Sequence, residues 1–181
     1  MIIRQATQGD APAVAAIYGH HVLNGLGTFE EVPPTDAEIA DRIEAVLARS
    51  LPYLVAEDDG AVIGFAYAAP FRPRAAYRYT VEDSVYIAPD AIGRGVGKAL
   101  VSRVIAECEA LGLRQMIAVI GDSDNAGSVG LHRSLGFEPA GVGRALGYKF
   151  GRWVDVVWMQ RALNGGEETT PTGDGLTLSG G

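Results

Sequence analysis

The chain has 181 residues, of which 48% are hydrophobic and 20% charged; this fits one soluble globular domain with a sizeable core and excludes a disordered polymer. With 15 basic against 22 acidic residues the net charge is −7, so neither nucleic acid nor an anionic membrane is expected as a partner. The single cysteine, Cys108, excludes an internal disulfide, no apolar run approaches a membrane span, no signal-peptide pattern opens the chain, and the cytoplasm is the expected location.

"IIRQA" predicts a short first strand. "GDAPAVAAIYGHHVLNG" predicts a helix, with Asp10 placed to cap it and Pro12 tolerated in its first turn. The loop "GLGTFEEVPP" leads to a second helix, whose apolar positions Ile39, Ile43, Val46 and Leu47 fall on one face. "YLVAED" and "AVIGFAYAAP" flank Asp59-Gly60, a strong hairpin signal.

"YRYTVEDSVYI" predicts a strand with two different faces. The period of two puts Val81, Val85 and Ile87 on one side and Thr80, Glu82, Ser84 and Tyr86 on the other. A loop with Gly93, Gly95 and Gly97 follows, then a helix with Val96, Leu100, Val104, Cys108 and Leu111 in line. "MIAVI" predicts a central strand, and "DNAGSVGLHRSLGF" a helix capped at Asp124 and stopped at Gly136. Two closing strands are expected near 138–147 and 153–161. Residues 164–181, rich in glycine and threonine, are expected to form a flexible tail outside a single domain at 1–163. The order predicts an α/β fold: a mixed sheet with helices on both faces.

The glycine loop between a strand and a helix suits an anion, because bare glycines let a ligand reach main-chain N–H groups and the helix N-terminus favours negative charge. Arg94 and Lys98, four apart, can share one side of that first turn. A Walker loop would need a hydroxyl where Ala99 stands, and a dinucleotide fingerprint would need another spacing. A simple tight turn remains the plain alternative.

The succession of motifs resembles the GNAT superfamily of acyl-CoA-dependent N-acetyltransferases, through Ile92-Gly93-Arg94-Gly95-Val96-Gly97 and through Asn125, Ser128, Leu131, Gly136 and Phe137. Ile92 departs from the usual Gln or Arg of that pattern, and His132 stands where tyrosine is usual. Within the superfamily the chain is most similar to the phosphinothricin and methionine sulfoximine acetyltransferases, through "GTFEEVPPT", "YTVEDSVYI" and "GYKFGRWVDVVWMQ". The resemblance implies the GNAT fold with a mostly antiparallel sheet, acetyl-CoA as cosubstrate without a metal, and a homodimer. It implies coenzyme contacts from Val85, Tyr86 and Ile87, from Gly93 through Lys98, and from Asn125 and Ser128, the last two being equally readable as helix caps.

An amine attacking a thioester needs a route for its proton, because an α-amine with a pKa of roughly 8 is largely protonated at neutral pH. Glu82, a carboxylate on the polar face of a strand, is the candidate base; Asp83 points the other way and reads as structural. His132 reads either as the acid that protonates the leaving thiolate or as a cap for the helix end. "FRPRAAYRYT" offers Arg72, Arg74, Tyr77 and Arg78 to an acceptor carboxylate, with some of these arginines readable as plain surface. The resemblance supports Phe29 and Glu30 as the opposite wall and places Lys149 near the substrate. His20 and His21 read as solvent-facing or satisfied in the core. The expected activity is acetylation of the α-amine of a small amino-acid-like compound; another small amine such as a polyamine, or a non-catalytic acyl-CoA-binding regulator, are the alternatives.

Overall fold

The computed structural model describes residues 1–178, so the part of the expected tail at 179–181 lies outside the described residues. In chain order the elements are β1 (Ile2–Gln5), α1 (Ala11–Asn24), α2 (Asp36–Leu47), β2 (Tyr53–Asp58), β3 (Ala61–Pro70), β4 (Thr80–Ile87), α3 (Val96–Ala110), β5 (Gln115–Gly121), α4 (Ala126–Ser134), β6 (Glu138–Lys149) and β7 (Arg152–Ala162). The strands form one sheet in the order β1-β2-β3-β4-β5-β7-β6. Its neighbours are antiparallel except for β4 and β5. Among the described residues no helix is long and apolar enough to cross a membrane.

Local chemistry explains most of the boundaries. Asp59 and Gly60 both take positive φ, at 49° and 79°, as a tight hairpin between β2 and β3 requires. Thr35 and Glu38 form a reciprocal capping box at the start of α2. Two expected caps differ from the reading. Asp10 stands at the N-cap position of α1, but its side chain makes no capping bond: a 3-10 turn at Gln8–Asp10 precedes the helix, and the Asp10 carboxylate accepts from Thr7 and pairs with Arg4 at 2.7 Å. The cap of α4 is Asn125, not Asp124, with the Asn125 side chain accepting from the Ser128 N–H at 3.1 Å. Gly136 does end that helix, in the left-handed conformation that a side chain resists.

The sheet is covered on both faces. α1 and α2 close one core around Val14, Tyr18, Val22, Ile43, Val55 and Phe65. α3 closes the other, burying Val96, Leu100, Val104 and Cys108, while Leu111 at the end of the expected stripe is exposed. On β4 the alternation holds: Tyr86 packs on the α1 side and Val81, Val85 and Ile87 on the α3 side.

β4 is the element that creates a site. It runs beside β5 only from Thr80 to Asp83, opposite Gln115 to Ala118, and the two strands then part. The Ala88 N–H donates to the Ile63 carbonyl, which fixes the phase of the antiparallel ladder with β3. Residues 82, 84 and 86 therefore exchange bonds with β3, whereas Val85 and Ile87 direct their N–H and C=O groups into the gap. By the same logic the Asp122 N–H bonded to the Asp155 carbonyl turns Val119 and Gly121 of β5 toward that gap.

Residues 164–178 carry no helix or strand, yet they lie against the body. Arg114 donates to the Gly166 and Thr169 carbonyls, and the Leu176 side chain packs against the core under α3.

Candidate active site

A cleft of about 680 Å³ opens in the gap between β4 and β5. Its walls are residues 83–87 of β4, 118–121 of β5, the glycine loop, the first turns of α4, and Leu26 and Gly27 from the loop after α1.

At one end the glycine loop presents bare main chain. Gly93 and Gly95 both stand at φ +80°, and a Cβ on either would project into open space rather than into protein. Gly95 caps α3 without a side-chain bond, and the first helical bond runs from the Ala99 N–H back to Gly95. The N–H groups of Val96, Gly97 and Lys98 are thus the orphan donors of a helix start, facing a space that a side chain would fill. This is a cradle suited to phosphate. The Val96 side chain itself is buried in the core. Arg94 departs from expectation: its guanidinium pairs with Asp58 at 2.6 Å, away from the cradle, and Asp58 also holds the N-terminal amine at 3.0 Å. Lys98 lines the cleft with an exposed side chain, and Ile92 is 65% exposed.

Asn125 and Ser128 line the cleft and also make the cap already described, so their two readings coincide. His132 lines it too, but its ring is committed. Nδ1 donates to the Ser128 carbonyl at 2.8 Å, and Nε2 meets the Asp83 carboxylate at 3.0 Å, with both side chains buried. Burial opposes charge on this imidazole, but the Asp83 bond and charge prevail and raise its pKa. Neither ring nitrogen points a free proton at the gap, so the contacts do not suit the expected acid role. Asp83 is buried against His132 on the face that its strand alternation implies, and among the described residues its second oxygen has no hydrogen-bond partner.

Glu82 is half-buried on the opposite face of β4. Burial, and after it the charge of Asp83, pushes its carboxyl above the ordinary range, while Arg72 opposes the shift. A carboxyl so raised is closer to the pKa a general base needs near neutral pH. The loop before β4 carries the expected cations. Arg72 lies over the Phe71 ring and Arg78 over Tyr79, with Arg78 also bonded to the Ala75 carbonyl, while Arg74 and Tyr77 are exposed.

Three expected substrate contacts look different in the fold. Lys149 is buried, and its Nζ donates to the carbonyls of Gly25 and Thr28 at 2.9 and 2.8 Å; it ties a loop rather than reaching a ligand. Glu30 is occupied by Arg42 at 2.7 Å and by the Tyr18 hydroxyl. Phe29 is 42% exposed and its ring lies against Gly147 of β6, where a Cβ would collide with it. Trp153 is 66% exposed.

His21, readable as satisfied in the core, also lines the cleft, a place that no motif assigned to it. Its Nε2 lies 2.8 Å from the Ile87 carbonyl at the mouth of the gap, and its ring leans on Tyr86. Burial lowers its pKa, with the Ile87 bond opposing. The spacing contains the signal, since His21 stands three residues after Tyr18 and seven after Val14, both buried on α1.

The sequence matches the model of the acetyltransferase (GNAT) family over residues 20–137. The chain belongs to the GNAT acetyltransferase family. It is 56% identical to the phosphinothricin N-acetyltransferase of Alcaligenes faecalis, over 93% of this chain and 86% of that one. It is 41% identical to the L-methionine sulfoximine/L-methionine sulfone acetyltransferase of Pseudomonas paraeruginosa, over 90% of this chain and 94% of that one. The crystal structure of a GNAT phosphinothricin acetyltransferase from Sinorhizobium meliloti with AcCoA superposes with a TM-score of 0.91 at 50% identity, covering 94% of this chain and 92% of that one. The mixed seven-stranded sheet is therefore a GNAT fold, and the protein is an N-acetyltransferase.

Proposed function

We propose that the protein transfers the acetyl group of acetyl-CoA directly to the α-amine of phosphinothricin, methionine sulfoximine or methionine sulfone. The observation that carries this reading is the parting of β4 from β5. It leaves the main-chain groups of Val85 and the N–H of Ile87 open to an extended ligand, in line with a glycine cradle at one end and with Glu82 at the other. The pyrophosphate of the coenzyme would take N–H groups of the glycine loop, those of Val96, Gly97 and Lys98 among them, and its pantetheine arm would pair with the Val85 carbonyl and the Ile87 N–H as an added strand. The names of the relatives supply the acceptor class.

In this scheme Glu82 takes a proton from the amine, through water, and the nitrogen lone pair attacks the thioester carbon. The C–N bond forms and the C–S bond breaks. The second proton that the nitrogen sheds balances the departing thiolate, so no proton from His132 is required. The N–H of Val85, directed into the gap on the side nearer Glu82, would meet the developing oxyanion. Arg72 and Arg74 would hold the acceptor carboxylate.

The two C-terminal strands also bear on assembly. β6 is an edge strand, and Leu146, Tyr148 and Phe150 near its end, with Trp153 of β7, are exposed together. A second copy of the chain covering this face would make the homodimer.

The deciding assay is thiol release from acetyl-CoA against a panel of amino acids and amines. Sulfoximine, sulfone and phosphinothricin should stand well above methionine, which lacks the tail oxygens, with spermidine near background. Donors left unpaired by methionine would cost about 1–3 kcal/mol, at least several-fold in kcat/KM. Spermidine outperforming every amino acid would overturn the acceptor assignment.

A further inference from the structure

We propose that residues 173–177 are a strap that positions the acceptor loop, residues 71–79, from behind. The segment after β7 would thereby take part in acceptor recognition, a role that rests on reading Arg72 and Arg74 as the acceptor clamp.

The loop has little of its own to hold it. It contains one 3-10 turn at Ala75–Tyr77, residues 72–78 are exposed, and its internal bonds are short-range ones within residues 74–78. At its start the Phe71 N–H reaches the Thr80 carbonyl at 3.3 Å, a weak closure. Its far end, Arg78 and Tyr79, is held from two sides. The start of β5 and the residue before it hold the Tyr79 carbonyl through the N–H groups of Gln115 and Arg114, at 3.2 and 2.9 Å. The strap holds the rest: the Tyr79 hydroxyl donates to the Gly173 carbonyl at 2.5 Å, and the Leu176 N–H donates to the Arg78 carbonyl at 2.8 Å.

Gly175 sits between those two bonds. It adopts φ +71°, and a Cβ there would stand 2.7 Å from the Arg78 carbonyl oxygen and 2.8 Å from the Tyr79 ring. Only glycine allows this approach. The Leu176 side chain anchors the strap in the core under α3, Arg49 donates to the Thr177 carbonyl, and Arg114 fixes the upstream part at Gly166 and Thr169. The clasped residues lie three and four positions before Glu82. Displacement of the strap frees the hinge through which the arginine loop enters β4. The coenzyme cleft, bounded by the other end of β4, shares none of these contacts.

The test compares Gly175→Val and a chain ending at Asn164 with Gly173→Ala, whose added methyl meets no atom within 4 Å. For each, KM is measured separately for methionine sulfone and for acetyl-CoA, and amide hydrogen exchange is followed over residues 72–79. Gly175→Val and the shortened chain should raise the acceptor KM about 3–10-fold, the worth of one or two hydrogen bonds. Acetyl-CoA KM should stay within about twofold, exchange in the loop should quicken, and Gly173→Ala should match the wild type. A folded Gly175→Val and a folded shortened chain with unchanged acceptor KM and unchanged loop exchange would overturn the proposal. So would an equal rise in both KM values, which marks general loosening. If the wild type acetylates no amino acid, the acceptor reading has failed; loop exchange that is the same in all four chains then also removes the strap.

Discussion

His132 Nε2 lies 3.0 Å from a carboxylate oxygen of Asp83, joining α4 to β4 at the point where β4 leaves β5. Both side chains are buried, so the pair is worth keeping only as a pair. Loss of one partner leaves an uncompensated buried group, which typically costs about 3–5 kcal/mol, whereas replacement of both by apolar groups is often nearly neutral. His132→Phe should therefore be strongly destabilising in denaturant titrations, and Asp83→Ala combined with His132→Phe should lose less than the sum of the single changes. Folding raises the pKa of this imidazole. Its contribution is then full below the ordinary histidine value of about 6.5 and is lost as pH rises through the raised one. The wild type should lose stability over that window and His132→Phe should not. Identical pH profiles would show that the pair carries no such linkage.

Gly95→Val tests the cradle. The substitution places a β-branched side chain at φ +80°, in open space where a phosphate would lie. The fold should survive with a modest loss of stability, while acetyl-CoA affinity measured by calorimetry without added metal should fall by at least tenfold, about 1.4 kcal/mol. Undiminished affinity would reduce the loop to a turn.

How much of this was readable from the residues depends on how far each partner lies along the chain. The two faces of β4 follow from a period of two within eight residues, and the hairpin from one dipeptide; both are local, and both are as read. The caps of α1 and α4 are local too, but at α1 other donors claimed the carboxylate and at α4 a carboxamide stood next to the aspartate. Asp10 went to Arg4 and Thr7, and Asn125 rather than Asp124 met the Ser128 N–H. Lys149 and the C-terminal segment depend on partners about a hundred residues away: Gly25 and Thr28 for the lysine, Arg78 and Tyr79 for Leu176 and Gly173. No periodicity encodes such a meeting. His21 fell between these cases, with its buried face legible and its Ile87 partner not.

Glu82→Gln keeps the shape of the side chain and removes the proton acceptor, so kcat should fall by roughly 10²–10⁴ with little change in acetyl-CoA affinity. In the wild type the acidic limb of kcat/KM should lie above the ordinary carboxylate range, because burial and Asp83 raise this group. A carboxyl raised by folding favours the native state at acid pH, and that contribution is lost as pH rises through the raised value. Glu82→Gln should accordingly melt higher than the wild type at neutral pH and lose that advantage under acid conditions. Wild-type turnover between pH 6 and 9 in this variant would remove Glu82 from the mechanism.

Assembly is tested through Trp153. If a second copy covers the exposed end of β6, light scattering should give about twice the 19.0 kDa chain mass. Trp153→Asp, a charge in place of an exposed aromatic, should shift the mass toward one chain at micromolar concentration. A monomeric wild type with full activity would contradict the interface.

Lys149 offers the sharpest separation between binding and positioning. Its ammonium is buried with two main-chain carbonyls as partners, and with Gly121 and Gly147 it fixes the loop after α1. A Cβ on Gly121 would drive into the Leu26 carbonyl, and one on Gly147 into the Phe29 ring. Leu26 and Gly27 of that loop wall the cleft beside Gly121 and Asn125. Lys149→Met keeps most of the stem and leaves the Gly25 and Thr28 carbonyls unpaired, a loss of about 1–3 kcal/mol for each. Amide exchange over residues 25–28 should quicken, and KM should rise several-fold for acetyl-CoA as well as for the acceptor. Lys149→Arg, which restores donors and charge, should recover part of both. If Lys149 instead held the acceptor carboxylate, Lys149→Met would raise the acceptor KM alone and leave loop exchange unchanged.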